Sequence, residues 1–432
     1  MKQIKVFSMF DGVGGFIVGL NNSNSDFFNA TYSNQFEPSR KSQDAYEVGI
    51  YQFPDMIHLN TDVEQIPSEK FDKMHADSVE MIVGGFPCQD YSVARSKKHE
   101  KGIEGKKGVL FWQIIRATRH IKPKYLILEN VDRLLKSPSK QRGRDFAIML
   151  KAFDDLGYSV EWRVINAAEY GRAQRRRRVF FFIYRNDTEF AKKIERKFET
   201  SDKHDLYDKT LYDDYIFKDG LFARQFPIHQ KPYKYRHTFY ELNTDIIKIS
   251  DDFSGTVWNT GIMRHGRYFT VETKPLMTEI PITLGQILQP ESEIDEKYYI
   301  TNPDKLAKFQ YLRGSKKIER TTLDGHKWIY SEGGMSPFDS LDLPARTMLT
   351  SEGSINRSTH FLKINDRYRL LTPIEAERLQ DFPDDWTRYK KSEDGKISEV
   401  SDRMRLFFMG NALVTGIVKR IGDELYKIIS ES

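Results

Sequence analysis

The sequence has a single cysteine, Cys88, among its 432 residues. One thiol forms no disulfide within the chain and no cysteine-based zinc site. The ten histidines show no paired ligand spacing, so no metal is expected. Long apolar runs are missing too. "VFFFIY", starting at Val179, is strand-sized and far short of the about 18 residues of a membrane span. The first residues enter an apolar strand pattern at once, without the layout of a signal peptide. No internal repeat or low-complexity segment stands out. These absences describe a metal-free, cytoplasmic protein with no membrane partner.

Hydrophobic residues make up 39% and charged residues 30%, which suits a folded globular chain. The length favours two domains. Net charge is only +5, but the positive charge is clustered in "SKKHEKGIEGKK" at 96–107, "QRRRR" at 174–178 and "KPYKYRH" at 231–237. A phosphate-bearing partner is one meaning of such clusters, and a solvated face is the commoner meaning of any single run.

Residues 1–185 alternate between strand and helix patterns. "IKVFSMF", "ATYSNQF", "MIHLNTDV", "SVEMIVGG", "KYLILENV", "YSVEWRVINA" and "RRVFFFIYR" read as strands. A stretch from Pro38 to about Val48, "VLFWQIIRATRHI" and "RDFAIMLKAFDDLG" read as helices. That alternation predicts an α/β fold with a doubly wound, mostly parallel sheet, whose ligands bind beyond the carboxyl ends of the strands. From Asn186 the texture becomes irregular and rich in Tyr, Phe, Lys and Asp, which predicts a second, smaller domain. Near the end, Leu413, Val414, Ile417, Val418, Ile421 and Leu425 form one helical stripe that needs a surface to cover.

The unusual residues fall at the predicted strand ends. "FDGVGG" is either an ordinary tight turn or a close backbone approach to a nucleotide-like ligand. Its Gly12, Gly14 and Gly15 do not make G-x-G-x-x-G, which disfavours a dinucleotide and leaves room for another adenosine-bearing cofactor. "NQFE" offers Gln35 and Glu37 for a ribose and Phe36 to stack on a ring, and "NTDV" offers Asp62 to an exocyclic amine. Cys88 lies in "GGFPCQDYS". A lone cysteine is ordinarily inert filler, but two glycines, Pro87 and the polar Gln89, Asp90 and Ser92 set this one at a strand exit, where a thiolate nucleophile is well placed. The following segment, to Gly108, has the composition of a loop that closes over a polyanion. Glu129 in "LILENV" is a solvated strand terminus or, in a dry pocket, an acid. In "QRRRRVFFF" alternation puts Gln174, Arg176 and Arg178 on one face, as an anchored polar substrate would need.

Taken in this order, these elements resemble the DNA (cytosine-5) methyltransferase family of restriction–modification systems. The resemblance runs from Val6 to about Val418, except most of 186–345. "FSMFDGVGGF" is similar to the family's S-adenosylmethionine loop, "GGFPCQDYS" to its nucleophile loop, "ENV" to its glutamate strand and "QRRRR" to its Q-x-R-x-R element. "ARTMLTSEG" and "RYRLLTPIEAERLQDFP" resemble the segments supporting the recognition domain and hinge. "GNALV" resembles the C-terminal element that completes the cofactor pocket.

The resemblance implies an S-adenosylmethionine-dependent, Rossmann-like catalytic domain over 1–185, a target-recognition domain over 186–365, and a hinge with a returning helix over 366–432. Cys88 would add to C6 of a flipped-out cytosine in double-stranded DNA, Glu129 would protonate or hydrogen-bond N3, Arg178 would hold O2, and Arg176 would contact phosphate or brace the loop. Phe10, Gly12, Val13, Gly14, Gly15, Gln35, Phe36, Asp62, Pro87, Leu110 and Asn411 would form the cofactor pocket. Gln89, Ser92, Arg95, Lys97 and Lys98 would contact DNA, with "KPYKYRHTFY" and "VWNTGIMRHGRYF" as aromatic–basic clusters for phosphate and base contacts or as core tyrosines with a solvated rim. A monomer is implied, with room for a cognate restriction endonuclease acting on the same site.

The chain departs from the family pattern in places. Ser8 stands where Asp is frequent and Asp11 where a small residue is common. Gln35 replaces a ribose-binding Glu, and Ala412 a frequent Ser, so altered cofactor affinity is expected. An amino-methyltransferase would need a [D/N/S]-P-P motif, which is missing, and two-cysteine RNA enzymes are excluded by the cysteine count. The tRNA-methylating branch shares fold and nucleophile but has a shorter recognition region. A catalytically silent DNA-binding relative would be expected to have lost the thiol, the glutamate or the arginines, and all are present.

Overall fold

A computed structural model of the chain describes residues 3–87, 110–199, 209–229, 236–322 and 324–431. Its centre is one ten-stranded sheet. Strands β1 (Ile4–Met9), β2 (Phe28–Asn34), β3 (Ile57–Leu59), β4 (Val79–Gly85) and β5 (Tyr125–Val131) lie in the order β3-β2-β1-β4-β5, all parallel. Then β6 (Tyr158–Asn166) and β7 (Arg177–Arg185) join as β5-β7-β6, antiparallel.

Apolar runs without alternation make these central strands. In β5, Leu126 and Leu128 face one core while Tyr125 and Ile127 face the other; in β7, Val179, Phe181 and Ile183 oppose Phe180, Phe182 and Tyr184. A strand buried on both faces has to be apolar throughout, which is why "VFFFIY" reads as it does. Helices Ser68–Ala76, Leu110–Ile121 and Arg144–Asp154 cover one face. Helices Gly15–Asn24, Glu189–Glu199 and Thr415–Ser430 cover the other.

The change of texture at 186 does not end the sheet. Strands β8 (His237–Glu241), β9 (Thr260–Arg264) and β10 (Arg267–Val271) extend it antiparallel from β6, in the order β6-β9-β10-β8. The sheet is thus mixed, parallel in one half and antiparallel in the other. The aromatic–basic clusters expected to offer DNA contacts supply much of this extension: Ile262, Met263, Tyr268 and Phe269 are buried, and Arg264 pairs with Glu195. The second cluster thus fills the core strands β9 and β10, whereas the first contributes the partly exposed edge strand β8, and its residues 231–235 lie outside the described part.

Two local expectations shift. The helix expected from Pro38 begins at Asp44, because the Gln43 side chain ties 37–43 into a loop, accepting from Glu37 N at 2.8 Å and donating to the Glu37 carbonyl at 3.0 Å. The final stripe is split: one helix ends at Asn411 and the next begins at Thr415, with Leu413 and Val414 buried between them. The stripe covers the helix Gly15–Asn24, where a Cβ on Gly19 would lie 2.5 Å from Val418 Cβ. A third core, built around Met348, Leu371, Leu379 and Met409, also takes in Val13 and Val18 from beside the glycine loop.

Candidate active site

The carboxyl ends of β1, β4 and β5 lie side by side, and antiparallel β7 brings its beginning to the same edge. Gly84 pairs with Met9, Gly85 with Glu129 and Val131 with Arg178. The two glycines are needed for closeness. A Cβ on Gly84 would be 2.6 Å from the Met9 carbonyl oxygen, and one on Gly85 would be 3.2 Å from Glu129 Oε2. Glu129 therefore stands against the backbone that leads, through Phe86 and Pro87, into Cys88.

Arg178 Nε meets Glu129 Oε1 at 2.9 Å, with both side chains mostly buried. Burial pushes the Glu129 carboxyl up, against the opposing pull of Arg178 and Arg176. The arrangement sets a carboxyl whose protonated form is favoured by burial beside a fixed guanidinium. Asn130, next in the strand, is buried. It donates from Nδ2 to the Phe86 carbonyl at 3.0 Å and accepts Val131 N–H at 2.8 Å. It thereby fastens the exit of β4 to the end of β5.

Gln174, Arg176 and Arg178 alternate inward with exposed Arg175 and Arg177, although β7 itself begins only at Arg177. Gln174 donates to the Leu379 carbonyl at 3.1 Å and accepts Met348 N–H at 2.9 Å. Arg176 is buried, and it donates to the carbonyls of Met348 (3.0 Å) and Gly410 (3.1 Å). Burial and the nearby Arg178 charge lower its guanidinium to about 9, leaving it charged at neutral pH. Its contacts are those of a brace: it ties the segment after Ala345, which runs beside Ala173–Arg176, to the glycine of "GNALV".

The loop after β1 turns through left-handed backbone, which two glycines adopt freely and Phe10 adopts at a cost. Phe10, Gly12 and Gly14 all have positive φ, at 54°, 59° and 86°. Gly12 N–H donates to Gln35 Oε1 at 2.8 Å, which leaves the Gln35 amide nitrogen 3.4 Å from Glu37 Oε1. A Cβ at Gly12 would meet nothing within 4 Å, so space beside the loop is open. Phe36 exposes 37% of its surface at the end of the same sheet edge. Asp62 caps a short helical turn by accepting Glu64 N–H at 3.1 Å.

Two departures from the family pattern prove to be linked. Ser8, fully buried, donates to Asp11 Oδ1, so the carboxyl absent at position 8 is held there from position 11. Burial pushes Asp11 up to about 7, with the Ser8 bond pulling the other way. Val13 and Gly15 meet the returning chain: Trp386 Nε1 donates to the Val13 carbonyl at 2.8 Å, and Leu413 would lie 3.4 Å from a Gly15 Cβ. Asn411 is exposed two residues before Leu413, and Leu110 is half-buried at the start of its helix.

Pro87 is exposed at the edge of the described residues. Cys88, Gln89, Ser92, Arg95, Lys97 and Lys98 lie outside them, as does the rest of 88–109. Among the described residues no group of three His, Cys, Asp or Glu side chains is placed to hold a metal, and no helix is long and apolar enough to cross a membrane. Sequence reasoning assigned no role to Asn130 and overlooked Trp386. The polar residue after Glu129 at an otherwise apolar strand end was the available signal for the first; nothing local marked the second.

The family model for C-5 cytosine-specific DNA methylase matches residues 4–427. The chain is 53% identical over 430 residues to Type II methyltransferase M.Sau3AI of Staphylococcus aureus, covering 100% of this chain and 97% of that protein. It is 30% identical over 187 residues to Type II methyltransferase M.HhaI of Haemophilus parahaemolyticus, covering 43% of this chain and 51% of that one. The crystal structure of the S. pombe Dnmt2 methyltransferase covers 100% of this chain and 99% of its own, at a TM-score of 0.57 and 14% identity, a likeness of fold.

Proposed function

The chain belongs to the C-5 cytosine-specific DNA methylase family and is a DNA cytosine-5-methyltransferase of restriction–modification type, and from that premise we propose how its residues carry the reaction. The substrate is a cytosine flipped out of a short specific sequence in double-stranded DNA, at a cost of roughly a few kcal/mol for unstacking. The observation that carries the reading is the Glu129–Arg178 pair, fixed against Gly85 three residues before Cys88.

The Cys88 thiolate adds to C6, and the C5–C6 double bond is used up as electron density moves to C5. Glu129 holds a proton at N3 as that charge develops. The upward direction of its pKa supports this role, since burial favours the protonated form. Arg178 orients O2, and Arg176 acts as a positioning residue through Met348 and Gly410. Phe36 and Asp62 hold an adenine, Gln35 and Glu37 face its ribose, and Phe10, Gly12, Val13, Gly14, Gly15, Pro87, Leu110 and Asn411 complete the pocket. The open space beside Gly12 and the exposed Phe36 ring fit such a ligand. When bound, S-adenosylmethionine supplies the electrophilic methyl group that C5 takes, and its sulfur keeps the bonding pair and leaves as S-adenosylhomocysteine. Loss of the C5 proton to a base then expels the Cys88 thiolate and restores the aromatic ring.

Gln89, Ser92, Arg95, Lys97 and Lys98 contact the flipped strand. The enzyme acts as a cytoplasmic monomer, with a restriction endonuclease of the same target as its counterpart. The test is expression in a host without cytosine methylation, followed by bisulfite sequencing, beside a Cys88→Ala variant. Wild type should protect cytosines in one short motif and the variant none, with S-adenosylhomocysteine binding retained. Methylation surviving in Cys88→Ala overturns the covalent route.

A further inference from the structure

We propose that the ribbon of β11 (Lys316–Thr321) and β12 (Lys327–Glu332) enters the major groove of the target duplex and reads base edges, an inference that rests on the function proposed above. Much of the second cluster, "VWNTGIMRHGRYF", is spent in the core strands β9 and β10, so base reading calls for a further surface. A two-stranded ribbon alone in water is marginal, because it buries too little on either face. This one is exposed on both: Ile318 is 37%, Trp328 41% and Ile329 64% exposed.

Its two faces differ in chemistry. Register places Ile318, Arg320, Trp328 and Tyr330 on one side, where the Arg320 guanidinium lies 4.4 Å from the Tyr330 ring and 5.8 Å from that of Trp328. That stack stiffens the ribbon without a core. The other side presents the donors Lys317, Thr321, Lys327 and Ser331 around Ile329, with the acidic Glu319 paired to Lys327 at 2.7 Å. The remaining acid at the root, Glu332, is paired to Lys316 and Arg357. With Asp324 in the turn counted, Lys316, Lys317, Arg320 and Lys327 still outnumber Glu319, Asp324 and Glu332, and the net positive charge suits a polyanion. A two-stranded ribbon matches a groove about 12 Å wide.

The root connects this ribbon to the reaction centre. Buried Arg313, three residues before β11, donates to the carbonyls of Ser336 and Thr359 and pairs with Asp339 at 2.6 Å. Asp339 also holds Arg346 at 2.6 Å, two residues from the Met348 carbonyl that Arg176 grips. A rigid path therefore runs from the exposed ribbon to the strand carrying Arg178.

The test is a K317A/T321A/K327A variant of the full chain, expressed in a methylation-free host and read by bisulfite sequencing. Steady-state rates on the wild-type motif and S-adenosylhomocysteine binding are measured alongside. The substituted side chains are exposed, so cofactor binding should stay within twofold of wild type. Expected is a loss of about tenfold or more on the wild-type motif, with at least one base position of the motif relaxed. An unchanged motif at an unchanged rate overturns the proposal. A uniform loss with the motif intact also overturns it, assigning the ribbon to phosphate contact alone. If the wild type dimerises through the ribbon and the variant does not, with methylation unaltered, the ribbon is a contact between copies of this chain. A wild type that methylates no DNA would sink the proposed function itself, a separate result.

Discussion

Replacing Asn130 by Asp changes hydrogen-bonding chemistry at almost constant volume. The amide now donates to the Phe86 carbonyl at 3.0 Å and accepts from Val131 N–H at 2.8 Å, while buried. An ionised carboxyl keeps the second bond and turns the first into a contact between two acceptors. A buried carbonyl left without a donor costs roughly 1–3 kcal/mol. At about 1.4 kcal/mol per tenfold, the population holding Phe86, and the chain entering Cys88, in place falls by about 5- to 140-fold. Burial and the adjacent Glu129 raise the introduced carboxyl above its ordinary value of about 3.9. Once protonated, its O–H donates to the Phe86 carbonyl as the amide did. A raised folded-state value means the deficit is absent below about pH 4 and grows as the pH climbs through that value. Single-turnover methyl transfer measured across the acid-to-alkaline range should show the variant slowest at alkaline pH and converging on wild type in acid, with cofactor affinity unchanged. Wild-type rates at alkaline pH, or a deficit that does not shrink in acid, would refute the role given to Asn130.

Glu129→Gln should slow single-turnover transfer by about 100- to 10,000-fold, the range for a lost general acid, with DNA affinity retained. Normal turnover in that variant removes Glu129 from the reaction. Asp11 offers a pH test of stability. Burial raises it from 3.8 to about 7, so its favourable contribution is complete below 3.8 and lost as the pH rises through about 7. Urea denaturation should therefore show Asp11→Asn gaining on wild type as the pH rises across that window, whereas parallel stability curves would show that the carboxyl is ionised throughout.

The strands and the edge where their carboxyl ends meet were legible because burial on both faces forces uninterrupted apolar runs, and a run that stops at a polar residue marks the edge. Glu129, Arg178 and the glycines were read that way, and the structure brings them together. The antiparallel extension of the sheet by β8–β10 was not legible. Its strands β8–β10 are short and mix Arg, Thr and Tyr with apolar residues, since Arg264 is neutralised by Glu195 and Tyr268 donates to the Thr256 carbonyl. Long-range partnerships leave no local trace either. Nothing near Ser8 announces Asp11 as its partner, and nothing near Trp386 announces Val13.

The helix Gly15–Asn24 is roofed by Thr415–Ser430, so tightly that Gly19 can carry no side chain beneath Val418. The two surfaces lie far apart in the order of synthesis. At about 5–20 residues per second, the first must wait on the order of 20–80 s for the second to leave the ribosome. Over that interval the apolar side of the early helix, including Phe16 and Leu20, is without its roof and open to chaperones or to other nascent chains. The protein's yield in a cell should therefore depend on elongation speed and chaperone supply more steeply than its finished stability would suggest.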